Sequence, residues 1–211
     1  MDPGLSKLLQ WSVANSSEPA DGTPVASNSQ LDPNIMNALF GGPSDAELMK
    51  SSMAAIRSSD PEITHEDKLI AFDNFEQLIE NLDNANNLEA TELWDPLLDC
   101  LNHEEGEFRK MAAWCIGTAV QNNKKSQDML VAKSGLPRLV KLATANDEGT
   151  KIRLKAIYAL SSACRNHQPA MDIVTAELEN LGKCNGTINA GDMDACDQLI
   201  GALRNDALTK P

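Results

Sequence analysis

The chain has 211 residues, with 31 acids against 18 bases, a formal charge of −13 and only 4% aromatic residues. That balance argues against a nucleic-acid binder, which needs a basic surface for phosphates, and so few aromatic residues are thin for a β-sandwich. The charge is uneven: residues 65–105 carry twelve acids and one base (Lys68), whereas 106–211 carry fourteen bases and eleven acids. This asymmetry would orient a charged partner, or it is a solvated acidic face.

In chain order, Asp2 and Pro3 open a first helix as N-cap and first helical residue. Leu5, Leu8, Leu9 and Trp11 give it an apolar side, within an amphipathic segment 1–15. Residues 16–30 are rich in Ser, Asn, Pro and Gly and read as a flexible linker, because they bring too little apolar surface to offset ordering. Residues 31–64 form a helical N-terminal cap. One helix opens at Asp32-Pro33, buries Ile35, Met36, Leu39 and Phe40, and stops at Gly41-Gly42; the next runs from a Ser44/Glu47 capping box to about Arg57.

From Thr64, whose spacing to Asp67 resembles another capping box, a longer period sets in. At an offset of 44, Arg109 matches Arg153, Ala112 matches Ala156, Trp114 matches Tyr158, Ile116 matches Leu160 and Asn122 matches Asn166. At an offset of 41, Ala71 matches Ala112, Phe75 matches Ile116, Asn81 matches Asn122, Pro96 matches Pro137 and Leu98 matches Leu139. Within these units Phe108, Met111, Ala112, Cys115, Ile116 and Ala119 recur at helical spacing, as do Ile152, Ala156, Ala159, Leu160 and Ala163. Helical units of this length cannot bury their stripes alone and must stack. The expected fold is all-α: an armadillo/HEAT-like repeat solenoid over 65–180, with short helices at the N-terminus and a helical C-terminal cap over 181–211. The third copy loses the pattern after Val174, with no counterpart of Gly135-Leu136-Pro137, and reads as a degenerate, polar end cap. The helix after Asp192 (Ala195, Leu199, Ile200, Leu203) covers the exposed end.

No catalytic constellation stands out. His65, His103 and His167 are dispersed, and His103-Glu104-Glu105 lacks the second histidine of a zinc-protease motif. Asp192, Asp194 and Asp197 lack the glycine and distal glutamate of a calcium loop. Gly182-Lys183 is followed by Cys184 and makes no P-loop. No enzyme activity, metal or cofactor is expected. The cysteines (Cys100, Cys115, Cys164, Cys184, Cys196) are odd in number and form no C-x-x-C pair, which suits a reducing compartment. The N-terminus lacks a basic flank before an apolar run, the ending Leu208-Thr209-Lys210-Pro211 is no retention tail, and no apolar segment reaches membrane-spanning length. A soluble, cytoplasmic monomer that binds neither membrane nor nucleic acid is expected.

For partner binding, the stretch from Glu80 to Leu88 stands out. Asn81, Asn122 and Asn166 recur in register and read as structural turns. Asp83, Asn84, Asn86 and Asn87 do not recur and are freer for a partner, and Ala85 would let another backbone approach. Trp114 and Tyr158 lie off the apolar stripe, as inter-repeat core or as exposed anchors. Lys124, Lys125, Lys133, Arg138 and Lys141 would face an acidic partner, or are a solvated face.

Several segments then carry a resemblance: Lys7-Leu8-Leu9-Gln10-Trp11-Ser12, Leu39-Phe40-Gly41-Gly42, Ala71-Phe72-Asp73-Asn74-Phe75-Glu76, the Asn-rich stretch, and Ile116-Gly117-Thr118-Ala119-Val120-Gln121-Asn122-Asn123. Together they resemble the armadillo-type nucleotide exchange factors of 70-kDa heat-shock (DnaK-type) chaperones, the HspBP/Fes family, in its fungal cytosolic form. The resemblance implies that the array grips the chaperone's ATPase domain, opens the nucleotide cleft and speeds ADP release, so that ATP rebinds and the client leaves. It also implies that the N-terminal segment, with Leu8, Leu9 and Trp11, acts at the chaperone's peptide-binding domain to release client. A competing expectation is an armadillo adaptor that holds an extended peptide and has no exchange activity; a third is a hydrolase.

Overall fold

The chain divides into two units, Met1–Ser44 and Asp45–Pro211, and the computed structural model describes residues 42–209. The expected helices at 1–15 and 31–41, and the linker between them, lie outside the described residues. The unit from Asp45 is entirely helical among the described residues, with ten α-helices: α1 Asp45–Ile56, α2 His65–Ile79, α3 Leu82–Asn87, α4 Trp94–Asp99, α5 Gly106–Val120, α6 Lys124–Ala132, α7 Gly135–Thr144, α8 Thr150–Cys164, α9 Gln168–Asn180 and α10 Met193–Thr209. A 3-10 turn, Cys100–Asn102, extends α4.

The period read from the sequence is the period of the fold. The helices α2, α5 and α8 each have 15 residues and begin at His65, Gly106 and Thr150, offsets of 41 and 44. Each opens a three-helix repeat: α2–α4, α5–α7 and α8–α10. The first helices pack side by side as α2–α5–α8; the second as α3–α6–α9; the third as α4 with its 3-10 turn, then α7 and α10. The result is an armadillo-like solenoid. The helix α1 packs on α2 and buries Met49, Met53 and Ile56. In α5 all six residues of the expected stripe are buried, and so are Ala113, Gly117 and Val120. A middle helix with neighbours on both sides needs small residues there. At Gly117 a Cβ would stand 2.5 Å from the Tyr158 ring and 3.1 Å from the Ala159 Cα, so glycine brings α5 and α8 together.

The caps follow local chemistry. Thr64 Oγ1 accepts from the Asp67 amide at 3.2 Å, and Asp67 Oδ2 accepts from the Thr64 amide at 2.9 Å, closing the capping box read at this position. Asn81 caps α3. In the next two repeats the recurring asparagine is a corner residue: Asn122 and Asn166 stand at φ of 52° and 56°, a left-handed conformation that asparagine tolerates, and the following residues, Asn123 and His167, make the caps.

The fourth residue of each first helix is basic, and each reaches back to carbonyls that end the preceding element. Lys68 Nζ donates to the Ser58 carbonyl at 2.6 Å; Arg109 Nη1 donates to His103 and Glu104 at 2.6 and 2.7 Å; Arg153 Nε donates to Ala143 at 3.1 Å. Each cation so satisfies carbonyls left without amide partners. The third repeat is more complete than a degenerate cap. Its α9 runs on to Asn180, and α10 has 17 residues and buries Cys196, Leu199, Ile200, Leu203 and Ala207. Arg153, with no exposed surface, pairs with Asp206 of α10 at 2.7 Å, and Lys183 meets the same carboxylate at 2.8 Å.

Candidate functional site

The predicted binding residues fall in three places. The Asn-rich corner is α3, a six-residue helix between two packed elements. Here the structure gives two of the singled-out residues a role within the fold. Asn84 is 8% exposed and donates from Nδ2 to Asp45 Oδ2 at 2.7 Å and to the Leu78 carbonyl at 2.9 Å, so it is a tie between helices. Ala85 is 3% exposed, and its carbonyl accepts from Ser126 Oγ of the next repeat at 3.5 Å. Asp83 and Asn87 are exposed; Asn86 is half-buried, and its Oδ1 has no hydrogen-bond partner among the described residues.

The second place is the third-helix row. Arg138 is partly exposed and meets Asp99 of the preceding repeat at 3.3 Å, while Lys141 is exposed one turn on. Of the other basic residues, Lys133 bridges Asp95 at 2.8 Å and Glu89 at 3.4 Å, which raises its pKa, and Lys124 pairs with Asp128 at 2.9 Å. The His167 ring, 2% exposed, accepts from the Ala170 amide at Nδ1 and faces Asp128 with Nε2 at 2.8 Å. That contact, then Lys124, holds the Asp128 carboxyl below its ordinary value. Of this expected acidic-partner face, Lys133 and Arg138 are engaged in ties between repeats, Lys124 pairs within its own helix, and Lys125 and Lys141 are exposed.

The third place is the first-helix row. Trp114 of α5 and Tyr158 of α8 are half-buried neighbours, so each is part inter-repeat packing and part surface. Lys155 Nζ lies 3.5 Å from the Trp114 ring centroid and 5.7 Å from that of Tyr158, a cation–π arrangement. Tyr158 donates from its hydroxyl to Gln121 Oε1 at 3.0 Å. The two rings belong to a groove of about 590 Å³ between α5, α8 and α10, with Met111 and Leu154 among its apolar walls and Lys110, Lys151, Lys155 and Arg204 among its polar ones. Burial pushes the Lys155 ammonium below its ordinary value. Sequence reasoning singled out the two rings but missed these four cations. The signal was present: Lys151, Lys155 and Tyr158 fall on one face of α8, and Lys110 and Trp114 on one face of α5, at spacings of four and three.

Among the described residues no group of three histidine, cysteine or acidic side chains is placed to hold a metal ion, and no helix is long and apolar enough to cross a membrane. The five cysteines are unpaired, and burial raises the Cys100 thiol to about 11 and the Cys164 thiol to about 12. Leu8, Leu9 and Trp11 lie outside the described residues.

Two family models match the chain: one described as nucleotide exchange factor Fes1 over residues 5–88, and one described as the SIL1/FES1/HPBP1 C-terminal domain over residues 84–175. An Hsp70 nucleotide exchange factor FES1 of Gibberella zeae is 55% identical over 96% of this chain and 96% of its own length. The Neurospora crassa protein of that name is 48% identical over 98% and 99%. The Saccharomyces cerevisiae protein of that name is 49% identical over 78% of this chain and 57% of its own. Among solved structures, the crystal structure of an engineered protein aligns with a TM-score of 0.53 over 86% of this chain and 76% of that one, at 15% identity. That likeness is one of fold alone.

Proposed function

The chain belongs to the Fes1 family of nucleotide exchange factors, and we propose that it binds the ATPase domain of a cytosolic 70-kDa heat-shock chaperone and accelerates ADP release. The observation that carries this reading is the identity with Hsp70 nucleotide exchange factors over nearly the full length of both chains. The physical requirement is a preference for the open form of the ATPase domain, because equal affinity for open and closed forms would shift nothing. A stack whose repeats are tied together in every row supplies the stiffness for such a preference. Acceleration then needs no catalytic group on this chain, and the protein acts as a monomer without cofactor.

Partner contacts are proposed at the Asn-rich corner (Asp83, Asn84, Ala85, Asn86 and Asn87), at Arg138 and Lys141, and at Trp114 and Tyr158, with Asn84 and Ala85 the least accessible of them. The segment with Leu8, Leu9 and Trp11 is proposed to act at the chaperone's peptide-binding domain and aid client release. Stopped-flow release of labelled ADP from a purified chaperone, across a concentration series of this protein, tests the reading. A rate that rises and saturates is expected; a rate that stays at the chaperone's own value sinks it.

A further inference from the structure

The loop between α9 and α10 carries a dipeptide that the exchange reading does not use. Asn185 is followed by Gly186, and no other asparagine of the chain is followed by glycine. Both ends of this loop are pinned. At its start the Gly182 amide donates to the Glu179 carbonyl at 2.9 Å, and the Lys183 amide to the Leu178 carbonyl at 2.8 Å. At its end Gln168 donates from Nε2 to the Ile188 carbonyl at 2.9 Å and accepts at Oε1 from the Ala190 amide at 2.8 Å. The Asn166 amide donates to the Ala190 carbonyl at 2.9 Å. Between these anchors the Asn185 side chain and the Gly186 amide have no hydrogen-bond partner among the described residues; only the Gly186 carbonyl is met, by Cys184 Sγ at 3.7 Å. Asn185, Gly186 and Thr187 are exposed. Gly186 stands at a φ of 76°, and nothing lies within 4 Å of the place a Cβ would take there.

We propose that Asn185 is a self-modifying site, which deamidates in the folded protein to aspartate and isoaspartate. The Gly186 amide nitrogen attacks Asn185 Cγ as it gives up its proton. The Cγ–Nδ2 bond breaks, and ammonia leaves carrying that proton. Water then opens the cyclic imide: at Cγ it restores a normal backbone with an aspartate, and at the backbone carbonyl carbon it leaves an isoaspartate, with the chain running through Cβ. Water is the one co-reactant, and no electron is transferred. The loop meets each requirement, because the attacking nitrogen is held by no acceptor, glycine has no Cβ to crowd ring closure, and solvent reaches both residues. Other asparagines are restrained. Asn84 and Asn123 donate from Nδ2 to two acceptors each, and Asn189, in the same loop, accepts from the Gly191 amide and precedes alanine. Asn74 and Asn205 lie inside helices, where the following amide is bound to the preceding turn. Because the anchors flank residues 184–187, the added carboxylate leaves α9 and α10 in place. The loop thus gains negative charge with the age of the molecule, without unfolding.

The inference does not require exchange activity, and its test contains no chaperone. The full chain is aged in buffer at physiological temperature, at neutral and at mildly alkaline pH. Mass spectrometry of the tryptic peptide Cys184–Arg204 follows amide-to-acid conversion, and an isoaspartyl methyltransferase with labelled S-adenosylmethionine counts the isoaspartate. Conversion at Asn185 is expected to run several-fold ahead of Asn189 and of the helical asparagines, and to quicken as pH rises, since the attacking nitrogen must lose its proton. N185Q should remove the methyl-accepting signal, and G186A should slow conversion several-fold. N185D, which supplies the product's charge without ageing and keeps Gly186, should unfold in urea at the parent's midpoint. The proposal is overturned if Asn185 stays intact while another asparagine converts, if G186A converts as fast as the parent, or if conversion appears only in unfolded protein. A lowered midpoint in N185D would overturn the claim that the change leaves the fold in place.

Discussion

At the centre of α3 Asn84 and Ala85 turn inward, whereas across α5 and α8 Trp114, Lys155 and Tyr158 stand half-buried at the surface. The corner spends its polarity on the fold: Asn81 caps the helix, Asn84 ties α3 to α1 and to the end of α2, and the Ala85 carbonyl takes a hydrogen bond from the next repeat. Across the seam, which Gly117 keeps close, Trp114 and Tyr158 stand half-buried beside Lys155, and Lys110 is paired with Glu107 on its own helix. A break in a repeat pattern can therefore mark a structural joint. Residues that recur in register, which look like core, can carry the accessible chemistry.

That contrast can be broken at its strongest point. Ala85→Arg places a guanidinium where 3% of the residue is exposed, and should cost at least about 3 kcal/mol. Urea unfolding followed by far-UV circular dichroism would reveal it; an unchanged midpoint would mean that the corner is open after all. Asp206→Ala strands the fully buried Arg153 beside α10, with an expected loss of about 3 kcal/mol. Gly117→Ala gains helix propensity but drives a methyl into the Tyr158 ring and the α8 backbone. A net loss of about 1–2 kcal/mol is expected, together with altered tyrosine fluorescence. The smallest effect belongs to the exposed part of the corner: Asp83→Ala and Asn87→Ala should each move stability by no more than about 0.5 kcal/mol. A larger shift in the unfolding midpoint would show that α3 relies on them.

The first-helix row was legible because its period is written in large apolar residues at spacings of three and four, so that offsets of 41 and 44 located three helices of equal length. The second-helix row was not. A helix of six residues such as α3 has fewer than two turns, too short for any periodicity to say which face is inside. At the end of the array the repeat motif gives no guide, because α10 is held to α8 and its C-cap by pairs remote in sequence, Arg153 with Asp206 and Arg165 with Asp197. The groove's cations escaped for the same reason: Lys110 and Arg204 are far apart in the chain and look like ordinary surface charge until α10 folds over α8. The two rings were visible, and their partial burial reconciles the two roles weighed for them.

The basic residue at the fourth position of each first helix gives the stack a direction of assembly. Lys68, Arg109 and Arg153 each reach back to carbonyls at the end of the preceding element, so α1 and the first two repeats are each finished by the helix that follows. On a ribosome, a newly emerged repeat would wait with open carbonyls until the next helix begins and closes it. Growth from the N-terminus thus locks in one step at a time, while a truncation at any repeat boundary leaves the last one unsealed.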